Sequence, residues 1–147
     1  FELAEKNLKA DAHHITHLRD RLEKGILKKV PYVHLNGGPD GRIPNTSNFS
    51  FEYVEGEGCV VMLDMEGVAV STGSACASGT TKVSHVLRAL GVPTEIAQGS
   101  VRFSLGHQNT EQEIDRVVEL VPDVVQRLRS LSPIWSDLAQ TAFGKKS

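Results

Sequence analysis

The sequence predicts an α+β domain in which helices pack on a small mixed sheet. Three observations carry that prediction. Long segments with apolar residues at helical spacing stand near either end, short runs between them alternate apolar and polar residues as strands do, and glycine- and proline-rich turns separate the pieces. With 147 residues, 39% of them hydrophobic and 23% charged, the chain has the size and composition of one globular domain.

From Leu3 to about Leu27, the residues Ala4, Leu8, Ile15, Leu18, Leu22 and Ile26 recur at helical spacing with charges between them, predicting a long amphipathic helix that ends near Gly25. His13 and His17 lie four apart on one face, the spacing of a two-histidine metal site, with His14 beside them. No carboxylate or thiol is suggested nearby as a further ligand, so the histidines read as a solvated helix face and no metal is expected.

Pro31 closes the helical region, and Tyr32 to Leu35 reads as a short strand. Asn36-Gly37-Gly38-Pro39-Asp40-Gly41 is a loop; no strand-to-helix frame surrounds it, so it is not a phosphate-binding motif. Thr46 to Phe51 alternates as a strand with Phe49 and Phe51 on one face. Glu57 to Met65, flanked by glycines, predicts a short buried helix with Cys59 in or near the core. Val68 to Val70 reads as a brief strand.

From Ser71 to Thr81 no side chain is larger than threonine, and a single thiol, Cys76, sits at the middle of that run. Such a stretch offers no apolar bulk to a core and reads as a mobile surface loop. Residue type alone leaves two readings of Cys76: an exposed, chemically useful thiol, or a small residue that happens to be cysteine in a linker. Val83 to Leu90 then makes two helical turns stopped by Gly91 and Pro93. Ser100 to Leu105 alternates, with Val101, Phe103 and Leu105 inward and Arg102 on the open face of a sheet. Thr110-Glu111-Gln112-Glu113 has the form of a capping box and opens a long helix with Ile114, Val117, Val118, Val121, Val125 and Leu128 on its apolar face and Pro122 inside it. Ser132-Pro133 ends that helix; residues 132–147 form a tail, helical at its start, whose Lys145-Lys146-Ser147 end reads as disordered.

Composition narrows the function. A net charge of −2 and 5% aromatic residues, with no basic cluster interleaved among aromatics, argue against nucleic acid as a partner. No apolar run approaches the roughly 18 residues of a membrane span, and the charged, helical start does not resemble a secretory signal. Two cysteines in unlike surroundings do not form a disulfide framework, so a reducing cytoplasm or organellar matrix is the expected setting. Asn45-Thr46-Ser47 matches a glycosylation sequon, but that setting discounts it.

The run Val70-Ser71-Thr72-Gly73-Ser74-Ala75-Cys76-Ala77-Ser78-Gly79, followed by Ser84-His85-Val86-Leu87-Arg88-Ala89-Leu90-Gly91 and Val101-Arg102-Phe103-Ser104-Leu105-Gly106, resembles the C-terminal third of a pyridoxal-phosphate-dependent cysteine desulfurase of the NifS/IscS type. The resemblance also takes in Pro44 to Phe51, Tyr53 to Glu57 and Leu131 to Trp135, nearly the whole chain. It implies the small C-terminal domain of a fold-type I pyridoxal phosphate enzyme over residues 1–131. It further implies that Cys76 is the catalytic nucleophile and persulfide carrier and that Arg102 grips the substrate carboxylate. Both types suit the chemistry: a thiolate can take up a sulfur and give it away again, and a guanidinium offers a planar fork of donors to two carboxylate oxygens.

In that family a large N-terminal domain supplies the Schiff-base lysine, the groups around the pyridine ring and the phosphate cup. Lys6, Lys9, Lys24, Lys28, Lys29, Lys82, Lys145 and Lys146 do not sit in the family's lysine motif. No cofactor-binding residue is therefore expected in this chain, which by itself should neither bind pyridoxal phosphate specifically nor desulfurate cysteine. The implied partners are L-cysteine, the missing large domain, a second copy in a homodimer of the full-length enzyme, and a sulfur-acceptor or iron–sulfur cluster scaffold protein. The alternative is a freestanding sulfur-carrier or partner-docking module without desulfurase activity. A thiol redox sensor is weaker still, because Cys59 is distant in sequence and apolar in setting, leaving no evident resolving thiol.

Overall fold

A computed structural model of the chain describes residues 2–38, 40–72 and 84–143. The elements are α1 (Glu2–Lys29), β1 (Val33–Asn36), β2 (Thr46–Phe51), α2 (Gly56–Met65), α3 (His85–Ala89), α4 (Thr94–Ala97), β3 (Ser100–Ser104), α5 (Glu111–Ser130) and α6 (Pro133–Phe143). The strands form one sheet in the order β1-β2-β3, and the α+β class holds. Both ladders are antiparallel, so among the described residues the sheet is not mixed. In β1–β2 Leu35 faces Phe49, and in β2–β3 Val101 faces Phe49 while Arg102 faces Asn48.

One face of the sheet is the core. Phe49, Phe51, Val101 and Phe103 are buried there with Leu18, Leu22 and Ile26 of α1, Cys59 and Leu63 of α2, and Ile114, Val118, Val121, Val124 and Val125 of α5. Phe49 meets Phe103 edge-on at 5.7 Å and lies nearly parallel to Phe51 at 6.0 Å. The capping box that opens α5 is complete: Thr110 Oγ1 accepts from the Glu113 amide, and a Glu113 carboxylate oxygen accepts from the Thr110 amide. The Asn109 side-chain amide, and then the Thr110 N–H, hold the Glu113 carboxyl below its ordinary value. The helix then runs as one element through Pro122.

Four further expectations are corrected. The first helix does not stop near Gly25 but continues to Lys29, because Gly25 serves a packing contact: a Cβ there would lie 2.6 Å from both methyl carbons of Val118 on α5. The first strand begins at Val33, since Tyr32 is turned into the left-handed region at φ 52°. Val68 to Val70 is not a strand; the pairing with β3 is the single bridge Ser71↔Arg102, just beyond it. The helix expected over Val83 to Leu90 is described only as His85–Ala89, and a further short helix, Thr94–Ala97, follows Pro93. Val83 lies outside the described residues, as do Cys76, most of the small-residue loop, Lys82 and the Lys145–Ser147 end.

Helix α6 folds back on the domain. Trp135 of α6 packs against Tyr32 and Tyr53, and the Arg129 guanidinium of α5 lies 4.8 Å from the Trp135 ring centroid. Arg129 is fully buried; its Nε donates to Glu52 O and its Nη2 to Tyr32 O, both at 3.0 Å. It thereby clamps the end of β2 to the turn before β1.

Candidate active site

Alternation along the strands gives the sheet a second face made wholly of polar residues. His34 and Asn36 come from β1, Thr46, Asn48 and Ser50 from β2, and Ser100, Arg102 and Ser104 from β3. Arg102 is exposed, and its neighbours Val101 and Phe103 point into the core and fix which way it faces. Its guanidinium has no hydrogen-bonding or ion-pair partner among the described residues. The expectation that Arg102 emerges on the open face of a sheet is met.

The segment that leads toward Cys76 is tied to this arginine by backbone bonds. Ser71 N donates to Arg102 O at 3.1 Å, and Arg102 N donates to Ser71 O at 2.5 Å. Ser100 Oγ donates to Thr72 O at 3.2 Å, fastening the next residue as well. Asn36, Asn48, Arg102 and Ser71 thus stand opposite one another across four adjacent segments. Asn36 Nδ2 donates to both Asn48 Oδ1 and Ser50 Oγ at 2.7 Å. Sequence reading picked out Arg102 and missed this amide row, although the alternation that puts Phe49 and Phe51 inward places Asn48 and Ser50 on the opposite side.

The other candidates separate from this site. Cys59 is buried in the core on α2, and desolvation pushes its thiol from an ordinary 9.0 up to about 12, only partly offset by the charge of Arg129. A thiol held protonated in this way is inert as a nucleophile. Two of the three histidines of α1 reach the start of α5, His14 Nε2 lying 3.0 Å from Asn109 O and His17 Nε2 2.9 Å from Glu111 Oε1, while His13 is exposed. No group of three or more potential metal ligands occurs among the described residues. A cavity of about 650 Å³ opens beside Tyr53, Val54, Leu128, Leu131, Pro133 and Ile134, but none of the polar-face residues lines it.

The described residues do not fit pyridoxal phosphate. Lys24, Lys28 and Lys29 lie on exposed turns of α1, and Lys29 pairs with Glu119, so none is buried beside a phosphate cup. No helix among the described residues is long and apolar enough to cross a membrane.

The profile of the aminotransferase class-V family matches residues 2–117. The chain belongs to that family. Among its relatives, the class-V chain is 53% identical over 119 residues to "Cysteine desulfurase NifS" of Azotobacter vinelandii, covering 81% of this chain and 30% of that protein. It is 47% identical over 145 residues to "Cysteine desulfurase 2" of Trichormus variabilis, covering 99% of this chain and 36% of that protein. A solved NifS-like protein from Rickettsia africae superposes with a TM-score of 0.70 at 31% identity, over 84% of this chain and 31% of that one. The chain therefore spans about a third of the length of the relatives it matches. The NifS/IscS-type resemblance seen in its motifs agrees with all three comparisons.

Proposed function

We propose that this chain is the part of a cysteine desulfurase that supplies the sulfur-accepting thiol, Cys76, and the carboxylate-binding arginine, Arg102. The observation that carries the reading is the Ser71↔Arg102 bridge, which fastens the start of the Cys76 segment beside a guanidinium that has no partner among the described residues. Cys76 comes four positions after Thr72, so the chain can carry it at most about 14 Å from that residue, a distance that allows it to meet a substrate held at Arg102. Arg102 takes the α-carboxylate of L-cysteine in its donor fork and orients the amino acid. The Cys76 thiolate then attacks the substrate sulfur. An S–S bond forms as the Cβ–S bond breaks, the electron pair of that bond goes to carbon, and a proton completes the methyl group of alanine. The persulfide on Cys76 passes its outer sulfur to an acceptor protein. Pyridoxal phosphate, the cofactor the family implies, is held by residues outside those described.

Two measurements test this. In the protein expressed at the length of its relatives, Cys76→Ser should abolish sulfur release from L-cysteine, since a hydroxyl cannot carry the persulfide. In the chain itself, a substoichiometric alkylating reagent at pH 8 should label Cys76 well before Cys59. Sulfur release that survives Cys76→Ser, or equal labelling of the two thiols, defeats the assignment.

A further inference from the structure

We propose that Asn48 is a second ligand for the substrate carboxylate, sharing it with Arg102, and that Asn36 is the residue that positions it. The inference rests on the reading of Arg102 as the carboxylate-binding residue and adds the group that completes the subsite. Asn48 is the direct cross-strand partner of Arg102 in the β2–β3 ladder, and both belong to the polar face. Directly opposed residues of an antiparallel pair have Cβ atoms about 4.5–5.5 Å apart, close enough for both side chains to reach one small anion between them. An ionised carboxylate has about four acceptor sites, so it can take an amide donor without giving up its bidentate contact with the guanidinium.

The amide is oriented for this. Asn36 Nδ2 donates to Asn48 Oδ1 at 2.7 Å, which fixes the oxygen of Asn48 toward β1 and leaves its NH₂ group as the unengaged donor among the described residues. Asn36 is held in turn by its second bond, to the fully buried Ser50. Asn48 is half-buried and uncharged, so it adds a donor beside Arg102 without neutralising it, which an aspartate at the same position would do. An amide ladder that merely stabilised the sheet would use the same bonds. The two roles part company over the ligand: a structural amide affects every ligand alike, whereas a carboxylate ligand affects only those that carry a carboxylate.

The test uses the full-length protein and two probes, L-alanine and L-alaninamide, which differ in the carboxylate alone, each measured as an inhibitor of L-cysteine turnover. Asn48→Ala should weaken inhibition by L-alanine about tenfold, the worth of about 1.4 kcal/mol, and leave L-alaninamide within about twofold. Asn36→Ala should give the same pattern at roughly threefold, and Asn48→Asp should weaken L-alanine further than Asn48→Ala does. Asn48→Ser serves as the replacement should the alanine variant fold poorly, and the ratio of the two inhibition constants does not depend on how much protein is folded. If Asn48→Ala and Asn48→Ser leave that ratio unchanged while Arg102→Ala alters it, the role of Asn48 is overturned and that of Arg102 stands. If Arg102→Ala leaves the ratio unchanged as well, the carboxylate site itself is misplaced and the inference falls with it.

Discussion

On one face of the sheet Leu35, Phe49, Phe51, Val101 and Phe103 meet α1, α2 and α5, and four of the five are buried; on the other face, a few ångströms away through the same backbone, His34, Asn36, Asn48, Ser50, Ser100 and Arg102 carry no apolar side chain at all. The period-two alternation of β2 and β3 produces both faces at once. The apolar face holds its residues by volume and area removed from water. The polar face shares that backbone and, among the described residues, leaves the Arg102 guanidinium and the Asn48 NH₂ unengaged, which is what a binding surface requires. A scaffold whose stability comes from one side can bear chemistry on the other without the two demands colliding.

The largest expected effect breaks the apolar side. Phe49 is fully buried between Phe51 and Phe103 at the centre of the sheet, so Phe49→Ala removes a large side chain and leaves a cavity that its ring neighbours cannot fill. A loss of about 3–5 kcal/mol in unfolding free energy is expected from urea titration. A loss below about 1 kcal/mol would mean that this face is not the core of the domain.

The next effect sharpens the comparison through a polar group stranded on the apolar side. Burial raises the Cys59 thiol from 9.0 to about 12. Between those values the unfolded chain has lost the proton while the folded chain still holds it, so the unfolded state binds fewer protons and stability falls as pH rises. At 1.36 kcal/mol per unit, the loss from pH 9 to pH 10.5 is about 2 kcal/mol. Below pH 9 both states are protonated and Cys59 contributes no slope. Cys59→Ala should remove this part of the alkaline loss; an unchanged slope in that variant would show the thiol to be hydrated in the folded state.

Much of this arrangement was legible in the sequence, and the parts that were not have physical reasons. The Thr110 capping box and the apolar stripe of α5 are local patterns, and Arg102 could be placed because its two neighbours in the strand are strongly apolar. Gly25 reads locally as a helix stop; that α5 comes close enough to need a glycine there is a fact about two distant segments. The Ser71 bridge is likewise a single long-range pairing without a run of alternation to announce it. Arg129 left a signal that was passed over. It lies four and eight residues after Val125 and Val121, on the buried stripe, and a charge at such a position requires partners, here the carbonyls of Tyr32 and Glu52 and the ring of Trp135. Glu23 is a similar case, nearly buried on α1 and satisfied by Arg42 and Ser47 from the far side of the loop.

The smallest expected effect is the most discriminating for the comparison. Arg102 is exposed and its guanidinium has no described partner, so truncating it removes no cavity-filling volume and orphans no buried group. The backbone bonds that hold its strand, from its own N–H and C=O to Ser71 on one side and through the β2 ladder on the other, leave its side chain out and survive in alanine. Arg102→Ala should therefore change unfolding free energy by less than about 0.5 kcal/mol in the same urea titration that shows Phe49→Ala to be severely destabilised. A small gain is compatible with the same physics, since a binding site holds its charge unpaired for a ligand and not for the fold. A loss above about 1 kcal/mol would mean that Arg102 contributes to stability through its side chain, and the polar face would then be a structural surface and not a site.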